Sequence, residues 1–317
     1  MPTNTCTGKE SVMSPSFDVL SYGTIGLDYI LRVPYWPTPD RGVHVREEEE
    51  HLGGKATNTA VLLAGWGRKV AISGYVIGDD PVGTRLLELL GECENLSTRY
   101  LEQRPGLSSM YCRILVNPAG ERAIIGVKAD ETPQTEPTRE MIEDARLLAL
   151  DLYGGAERVR AARLAADAGR PVVIGDLRRA DHPVLPYTTV AIASAAEIRA
   201  EYPGWSMDAF AGAVRAAGAP HVIVTDGSGD VLVFADDALP VAITPPQVEV
   251  VDATGAGDAF RAGVVLGLLE GAPLTEAAAL GAAAGSINVT RAGGASRVPE
   301  LAEVRSLAAS LPRRQAR

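Results

Sequence analysis

Short apolar runs alternate along the chain with stretches whose apolar positions recur at helical spacing. Strands are predicted at Phe17–Ile25, Val70–Ile77, Leu147–Leu152, Pro171–Gly175, Val190–Ala193 and His221–Thr225. Helices are predicted at Gly54–Gly67, Pro81–Leu90, Ala156–Ala168, Ala195–Tyr202, Met207–Ala217, Ala256–Glu270 and Leu274–Val289. This alternation predicts an α/β fold, a three-layer αβα sandwich with a mostly parallel central sheet.

Two segments, 27–50 and 108–127, break the alternation. The first contains several prolines and then the alternating sequence Val43–Arg46, and the second predicts the strands Met110–Val116 and Arg122–Val127 around a turn. Together they predict a small β-sheet that stands off the main domain as a lid. Within the first segment, Glu47–Glu50 is interpreted as a solvated face or a protected edge strand.

Composition sets the class of protein and its partners. With 46% hydrophobic and 22% charged residues the chain is globular, and 30 Lys+Arg against 40 Asp+Glu give a net charge of −10. This charge argues against binding nucleic acid or an anionic membrane, but a phosphate can still be held by backbone N–H groups and a metal ion. Three isolated cysteines, Cys6, Cys93 and Cys112, predict reduced thiols and a cytoplasmic protein.

The same patterns divide the chain into three parts. We expect residues 1–16 to form a disordered leader without a signal-peptide core, because they are polar and contain Pro2, Gly8 and Pro15. Residues 17–312 are expected to form a single domain. The basic residues 313–317 are expected to be a short, frayed tail.

The most informative motif follows the predicted strand Val248–Val251, where a glycine-rich turn leads into a helix that begins at about Ala256. Small residues at a helix N-terminus let an anion approach the bare N–H groups at the positive end of the helix dipole. Asp258, in the first turn, could accept the proton of an attacking hydroxyl. The alternative is that Asp258 only satisfies first-turn amides.

A second glycine turn, Gly53-Gly54, leads into the helix that carries Asn58, whose amide suits the vicinal hydroxyls of a sugar. The alternative there is a tight turn with Lys55 in solvent. Asp28 follows the first strand at the base of the lid. Because Asp28, Asn58 and Asp258 all come just after predicted strands, we expect them to converge at one edge of the sheet.

These segments resemble the ribokinase-like (phosphofructokinase-B) family of sugar kinases. The family signature Asp-Thr-x-Gly-Ala-Gly-Asp-x-Phe is matched from Asp252 to Phe260, with Ala253 at the usual Thr position. Its upstream Gly-Gly signature is matched by residues 53–58, its Gly-x-Asp-x-x-Gly turn by residues 78–83, and its nucleotide-contact strand end by residues 224–227. The motifs occur in family order over roughly residues 17–312.

The resemblance implies a set of roles. Asp258 would be the catalytic base, and the N–H groups of Gly255, Ala256 and Gly257 would form the anion hole for the transferring phosphoryl group. The remaining implied assignments are sugar binding by Asp28, Gly54, Lys55 and Asn58, nucleotide binding by Thr225 and Gly227, a water-mediated magnesium contact by Glu197, and a monovalent-cation region at Asp252.

Three departures from the family pattern qualify these roles. Ser194 stands where the Asn of the Asn-x-x-Glu motif is expected, which weakens the magnesium contact of Glu197. Arg297 stands at the position of a Ser that helps bind a monovalent cation. We therefore hypothesise that its guanidinium replaces the cation, with a solvent-exposed arginine as the alternative. Asp226 and Asp230 add negative charge near the expected phosphate side unless they face away.

The leading hypothesis is an ATP-dependent, Mg²⁺-requiring kinase that phosphorylates a hydroxymethyl group of a small sugar, with a possible homodimer through the lid. A nucleoside kinase of the same fold is the first alternative, because Tyr29, Trp36 and Tyr111 on the lid segments could wall a base or could simply pack the lid. A catalytically impaired sugar-binding relative is the second alternative.

Overall fold

The structure is a computed structural model of the protein and describes residues 14–235, 239–291 and 297–316. Most of the expected leader, residues 1–13, therefore lies outside the described residues.

In chain order the strands are β1 (Phe17–Gly23), β2 (Gly26–Arg32), β3 (Glu47–Gly53), β4 (Val70–Gly74), β5 (Ile77–Gly78), β6 (Leu96–Ser97), β7 (Gln103–Arg104), β8 (Tyr111–Val116), β9 (Arg122–Val127), β10 (Ala145–Leu150), β11 (Val172–Leu177), β12 (Val190–Ser194), β13 (His221–Thr225), β14 (Val231–Phe234), β15 (Val241–Ile243) and β16 (Arg313–Gln315). The helices are α1 (Lys55–Gly65), α2 (Pro81–Gly91), α3 (Arg139–Glu143), α4 (Ala156–Asp167), α5 (Ala195–Glu201), α6 (Met207–Ala216), α7 (Ala256–Leu269), α8 (Leu274–Asn288) and α9 (Leu301–Ser310).

The central sheet has ten strands in the order β16-β15-β14-β13-β12-β11-β10-β1-β4-β6. From β13 to β6 every neighbouring pair is parallel, and only β14, β15 and β16 add antiparallel strands at one end. The mostly parallel sheet is thus confirmed. Because the strands run side by side in one direction, their carboxyl ends meet at one edge, where a ligand can reach all of them.

Both faces of this sheet are buried against helices. On β1, Val19 packs into a core with α1, α7 and α8, whereas the adjacent Leu20 packs into a second core with α4 and α6. Consecutive side chains of a strand point to opposite faces, so two buried neighbours require cover on both sides. The three-layer sandwich is therefore confirmed. Among the described residues no helix has the length and apolarity needed to cross a membrane.

The lid is a separate four-stranded sheet in the order β3-β2-β8-β9. Its existence is as predicted, but the strand expected at Val43–Arg46 lies instead at Glu47–Gly53. The alternation at Val43–Arg46 was misleading because β2 pairs with the residues that follow it. In this pairing Asp28 lies opposite His51 and Gly26 lies opposite Gly53. Glu47–Glu50 consequently lie on an edge strand, where charge discourages pairing with another chain.

Two further expectations about the chain near the main sheet were wrong. Val248–Val251 is not a strand, because the N–H groups of Val251 and Asp252 donate to the Val289 carbonyl at the end of α8 rather than to a neighbouring strand. The tail is not frayed over Arg313–Gln315, which pairs antiparallel with β15 as β16. There the Arg313 guanidinium also contacts Glu276 at 2.8 Å.

Helices α7 and α8 pack closely enough to give a sharp stability test. A Cβ built at Gly263 of α7 would lie 2.6 Å from the Gly281 nitrogen and the Leu280 oxygen, whereas one built at Gly212 of α6 would meet no atom within 4 Å. Gly263→Ala should lower the unfolding free energy by about 1–3 kcal/mol through overpacking. Gly212→Ala should instead raise it by about 0.5–1 kcal/mol through helix propensity. Urea unfolding measures both, and equal stabilities would contradict the close packing of α7 on α8.

Candidate active site

Asp258 and Asn58 are brought together at the carboxyl edge of the parallel strands, although they are far apart in the chain. Asp258 is only 6% exposed, in the first turn of α7, and Asn58 is buried in α1. The Asn58 Nδ2 donates to Asp258 Oδ2 at 2.8 Å. The amide therefore orients the carboxylate and leaves further lone pairs free to accept a proton from a ligand.

The start of α7 has the form expected of an anion site. Its N-cap, Gly255, adopts a left-handed backbone with φ of 72° and supplies no side-chain cap. A Cβ built at Gly257 would meet no atom within 4 Å, so there is open space beside the first turn. Without a capping side chain, the positive end of the helix dipole is available to an anion. Gly255, Ala256 and Gly257 thus lie beside Asp258 as the sequence predicts.

Gly54 and Lys55 begin α1 on the other side of Asp258. Gly54 has φ of 91°, and a Cβ there would lie 2.4 Å from the Thr24 carbonyl oxygen, so this turn requires glycine. The Lys55 Nζ lies 2.6 Å from Asp176 Oδ1 rather than in solvent. Burial opposes the charge of this ammonium group, but Asp258 and Asp176 raise the pKa of Lys55 above its usual value. Lys55 is therefore a fixed cation of the site.

Asp28 approaches the same site from the lid strand β2. It pairs in register with His51 on one side and Cys112 on the other, and the Cys112 thiol donates a hydrogen bond to its carboxylate. The pKa of Asp28 is raised to about 6, chiefly by burial; the nearby Asp258 also raises it, whereas the Cys112 bond and His51 lower it. Since a Cβ at Gly53 would lie 2.4 Å from this carboxyl group, glycine is needed to admit it.

Two charged residues of this cluster were missed by the sequence reasoning, Asp176 and Arg261. Asp176 is the second-last residue of β11 and has φ of 60°, a backbone conformation that is uncommon for a non-glycine residue and that concentrates at functional sites. It directly follows the predicted strand Pro171–Gly175, so the rule that found Asp28 and Asn58 would have found it too. Arg261 is 2% exposed, and its only sequence signal is its position three residues after Asp258.

The predicted nucleotide residues lie farther along the same edge. Thr225 ends β13, and Gly227 follows in a turn with φ of 56°. The intervening Asp226 forms a bidentate pair with Arg199 at 2.6 and 2.9 Å, which holds its pKa below the usual value. Asp230 accepts a hydrogen bond from Arg314. The negative charge expected near the phosphate side is therefore neutralised by two arginines.

Glu197, the candidate magnesium contact, lies in the first turn of α5 with Arg178 Nη2 at 2.9 Å. Over the residues that the structure describes, no three His, Cys, Asp or Glu side chains cluster as a metal site of their own. Mg²⁺ is commonly held by one or two carboxylates together with the phosphates of its nucleotide. Glu197 is a single carboxylate and therefore fits an Mg²⁺ ion that is held partly by nucleotide phosphates. Ser194, at the N-cap of α5, makes no side-chain cap hydrogen bond.

The lid also contacts the loop before the anion site. The Arg122 Nη1 of β9 donates to Thr254 Oγ1 at 2.5 Å and lies 3.8 Å from Asp252 Oδ1. Arg297 is exposed, while the glycine turn that precedes it, residues 293–296, lies outside the described residues. Within the part of the chain that the structure describes, Arg122 of the lid is thus a cation that lies next to Asp252.

Comparisons with known proteins match most of the chain. The family model described as "pfkB family carbohydrate kinase" matches residues 16–301. A ribokinase of Haemophilus influenzae is 28% identical over 294 residues, covering 87% of this chain and 94% of that protein. Acarbose 7(IV)-phosphotransferase of an Actinoplanes species is 30% identical over 312 residues, covering 90% and 97%. The solved structure of Arabidopsis thaliana ribokinase with ribose and ATP superposes with a TM-score of 0.79 at 21% identity, covering 93% of this chain and 99% of that one.

The raised pKa of Asp28 makes a stability prediction. Its pKa of about 6 exceeds the ordinary value of 3.8, so the ionised carboxylate costs the folded protein free energy above pH 6. That cost disappears below about pH 4, where Asp28 is protonated in both the folded and the unfolded state. Asp28→Asn should therefore raise the unfolding free energy at pH 8 by about 1–2 kcal/mol. This value is smaller than the free energy that corresponds to the full pKa shift, because the Asp28 side chain is partly exposed to solvent.

Urea unfolding at pH 8 and pH 4 checks this, with the exposed Asp130→Asn as the matched control. A gain that is the same at both pH values would mean that the ionisation of Asp28 is not its source.

Proposed function

The chain belongs to the pfkB family of carbohydrate kinases, and on that premise we propose that it transfers the γ-phosphoryl group of ATP to a hydroxymethyl group of a small sugar. The observation that carries the proposal is the hydrogen bond between Asn58 and the buried Asp258 beside the uncapped start of α7. It joins a candidate base, a hydroxyl-binding amide and an anion site at one place.

Asp258 would act as the general base. The substrate hydroxyl donates to the Asp258 carboxylate, and its proton passes to that carboxylate as the hydroxyl oxygen bonds to the γ-phosphorus. The bond from the γ-phosphorus to the bridging oxygen breaks, and ADP leaves with the electron pair. The N–H groups at Gly255, Ala256 and Gly257 would stabilise the charge on the transferring group.

The sugar would lie between the lid and α1. Asp28 and Asn58 offer acceptors and donors for its hydroxyls, and the turn at Gly54 brings backbone close to them without a side chain. Lys55 extends the same surface toward the phosphates. Thr225 and Gly227 would line the nucleotide farther along the sheet edge. Closure of the lid over this space would exclude water as a competing acceptor.

The lid supports a sugar rather than a nucleoside. By strand alternation Tyr29 and Tyr111 project from the face opposite Asp28, where their rings pack edge to face with centroids 5.7 Å apart. The Trp36 Nε1 donates to Glu121 near the hairpin turn at 3.3 Å. These contacts account for the three aromatic residues as lid packing and leave none of them as a wall for a base.

We assign ATP and Mg²⁺ as cofactors. When bound with ATP, Mg²⁺ would neutralise phosphate charge, and Glu197 would hold it through water. We assign no monovalent cation to Asp252, because the guanidinium of Arg122 already lies 3.8 Å from its carboxylate. The exposed Arg297 does not need to supply that charge.

Two wider expectations stay predictions. The first is a cytoplasmic location, which the free thiols of Cys93 and Cys112 support. Cys6 lies outside the described residues. The outer lid strand β9 exposes Ile124 and Ile125, which supports a homodimer through the lid. Sedimentation of the purified protein at increasing concentration would test the dimer.

A substrate panel tests the acceptor class. Ribose, a free hexose, a phosphorylated hexose, acarbose and adenosine would each be tested with Mg-ATP for ADP release, with and without K⁺. We expect turnover with a free sugar, because the Asn58 amide and the Asp28 carboxylate beside Asp258 offer a donor and acceptors to sugar hydroxyls. We also expect the rate to be independent of K⁺. Exclusive turnover of adenosine would overturn the sugar assignment, and loss of turnover without K⁺ would overturn the role given to Arg122.

Asp258→Asn tests the base. The substitution keeps size and hydrogen bonding but removes the proton acceptor, so kcat should fall by about 10²–10⁴-fold while sugar affinity stays within a few-fold. Asp208→Asn, at an exposed first-turn position of α6, is the matched control and should leave kcat unchanged. Unchanged turnover in Asp258→Asn would refute the assignment. Absence of sugar turnover by the wild type would instead favour the catalytically impaired relative.

A further inference from the structure

Arg261 is an arginine buried inside the apolar face of α7, one turn after Asp258. Its Nη2 lies 3.3 Å from Asp258 Oδ1, and its Nη1 lies 3.5 Å from Asp176 Oδ2. The guanidinium thus joins the buried Asp258 carboxylate to the partly exposed carboxylate of Asp176. A charged side chain that is 2% exposed requires such partners, because an unpaired buried charge is very unfavourable.

The surrounding chain is shaped to hold this guanidinium. A Cβ at Gly175 would lie 2.6 Å from Arg261 Nη1, so glycine makes the space for it. The ladder between β11 and β12 shifts register between Ile174 and Leu177, and Asp176 there adopts its left-handed backbone and faces the arginine. Bulges of this kind re-aim side chains next to active sites.

The guanidinium of Arg261 is also fixed to α1. Its Nε and Nη2 donate to Thr59 Oγ1 at 3.0 and 2.8 Å, and Nη2 also donates to the Lys55 carbonyl at 2.7 Å, so the two N–H groups of Nη2 are shared among these two acceptors and Asp258. The guanidinium therefore joins α7, α1 and β11 through groups in a fixed geometry. A flexible surface arginine could not set the position of a carboxylate in this way.

We propose that Arg261 is a positioning residue for phosphoryl transfer, which orients the Asp258 carboxylate and keeps it ionised for proton acceptance. The inference rests on the proposed role of Asp258 as the base. Asn58 holds one carboxylate oxygen and Arg261 the other, so the carboxylate cannot rotate away from the start of α7.

The charges around Asp258 determine what removal of Arg261 should do. Burial raises the pKa of Asp258, Lys55 of α1 and Arg261 of its own helix lower it, and Asp176 of β11 raises it. Asp28 of the lid is near enough for its own pKa to be raised by Asp258. Without Arg261, Asp176 would oppose ionisation of Asp258 with only Lys55 to compensate both carboxylates.

Arg261→Gln should therefore move the acid limb of the rate profile to higher pH, since the base works only when ionised. The measurement is the single-turnover rate at saturating sugar and Mg-ATP between pH 5 and 9. At saturating sugar the rate does not depend on sugar affinity, so an effect of Asp28 ionisation on sugar binding does not alter the measured rate. We expect an upward shift of about one pH unit or more. Arg261→Lys retains the positive charge, so the acid limb of its pH–rate profile should lie close to the wild-type pH.

Asp176→Asn provides a second variant with the opposite sign. It removes a negative charge near Asp258 while keeping size, so the acid limb should move to lower pH. In the double variant Arg261→Gln, Asp176→Asn the two effects should largely cancel. A merely structural role for Arg261 predicts lost stability or lost rate at every pH, but no paired shifts of opposite direction.

The outcomes separate this inference from the function on which it rests. An acid limb that does not move in either Arg261→Gln or Asp176→Asn, in an enzyme that Asp258→Asn inactivates, would overturn the role of Arg261 alone. If Asp258→Asn retains full turnover, the assignment of the base has failed instead. Should Arg261→Gln not fold, the double variant, which removes both charges, still decides the case: its acid limb should lie at higher pH than that of Asp176→Asn alone, and equal acid limbs would overturn the role of Arg261.

Discussion

Compensation of buried charge is the constraint on which the site depends. Asp258 is buried and Asp176 is 20% exposed in its side chain, and two cations from different helices, Lys55 and Arg261, balance them. A buried carboxylate is stable only with partners of opposite charge and good geometry. The start of α1, the first two turns of α7 and the end of β11 must therefore meet for Asp258 to have these partners. The apolar core that these elements share holds them together, and the charged groups lie where they meet.

A second buried pair lies beneath the first and fixes where α1 begins. Asp151 and Arg158 are 0% and 1% exposed in their side chains, and Asp151 Oδ2 accepts hydrogen bonds from both the nitrogen and the hydroxyl of Thr24. The same hydroxyl accepts from the Lys55 nitrogen at 2.7 Å. Because Thr24 ties the end of β1 to the first residue of α1, the position of Lys55 is set by backbone as well as by charge.

The parts of this fold that could be predicted from the sequence are those with a strong local hydrophobic pattern. Parallel strands buried on both faces appear as short continuous apolar runs and amphipathic helices as an apolar period of 3.6 residues, so the sandwich and most of its elements could be predicted. The short antiparallel strands β14 to β16 carry little local signal and form only because β13 offers an edge to pair with. At the site, Asp258 and Asn58 follow glycine turns and could be found. Arg261 could not, because its partners come from β11 and α1, which only the fold brings to it.

The two carboxylates that would face a sugar differ in one decisive respect. Burial raises the pKa of both groups, but Lys55 and Arg261 oppose this rise at Asp258. At Asp28 the groups among the described residues that oppose it are the Cys112 thiol and His51, and burial keeps the pKa raised to about 6. The hydroxyl groups of a bound sugar would donate hydrogen bonds to the Asp28 carboxylate. Part of the binding free energy would then come from these bonds, because they compensate for the water that burial removes from Asp28. The lid strand that carries Asp28 belongs to the same sheet as Arg122, which reaches the loop before the anion site. Under the proposed function, sugar recognition at Asp28 and lid contact beside the phosphoryl group would therefore be joined through one small sheet.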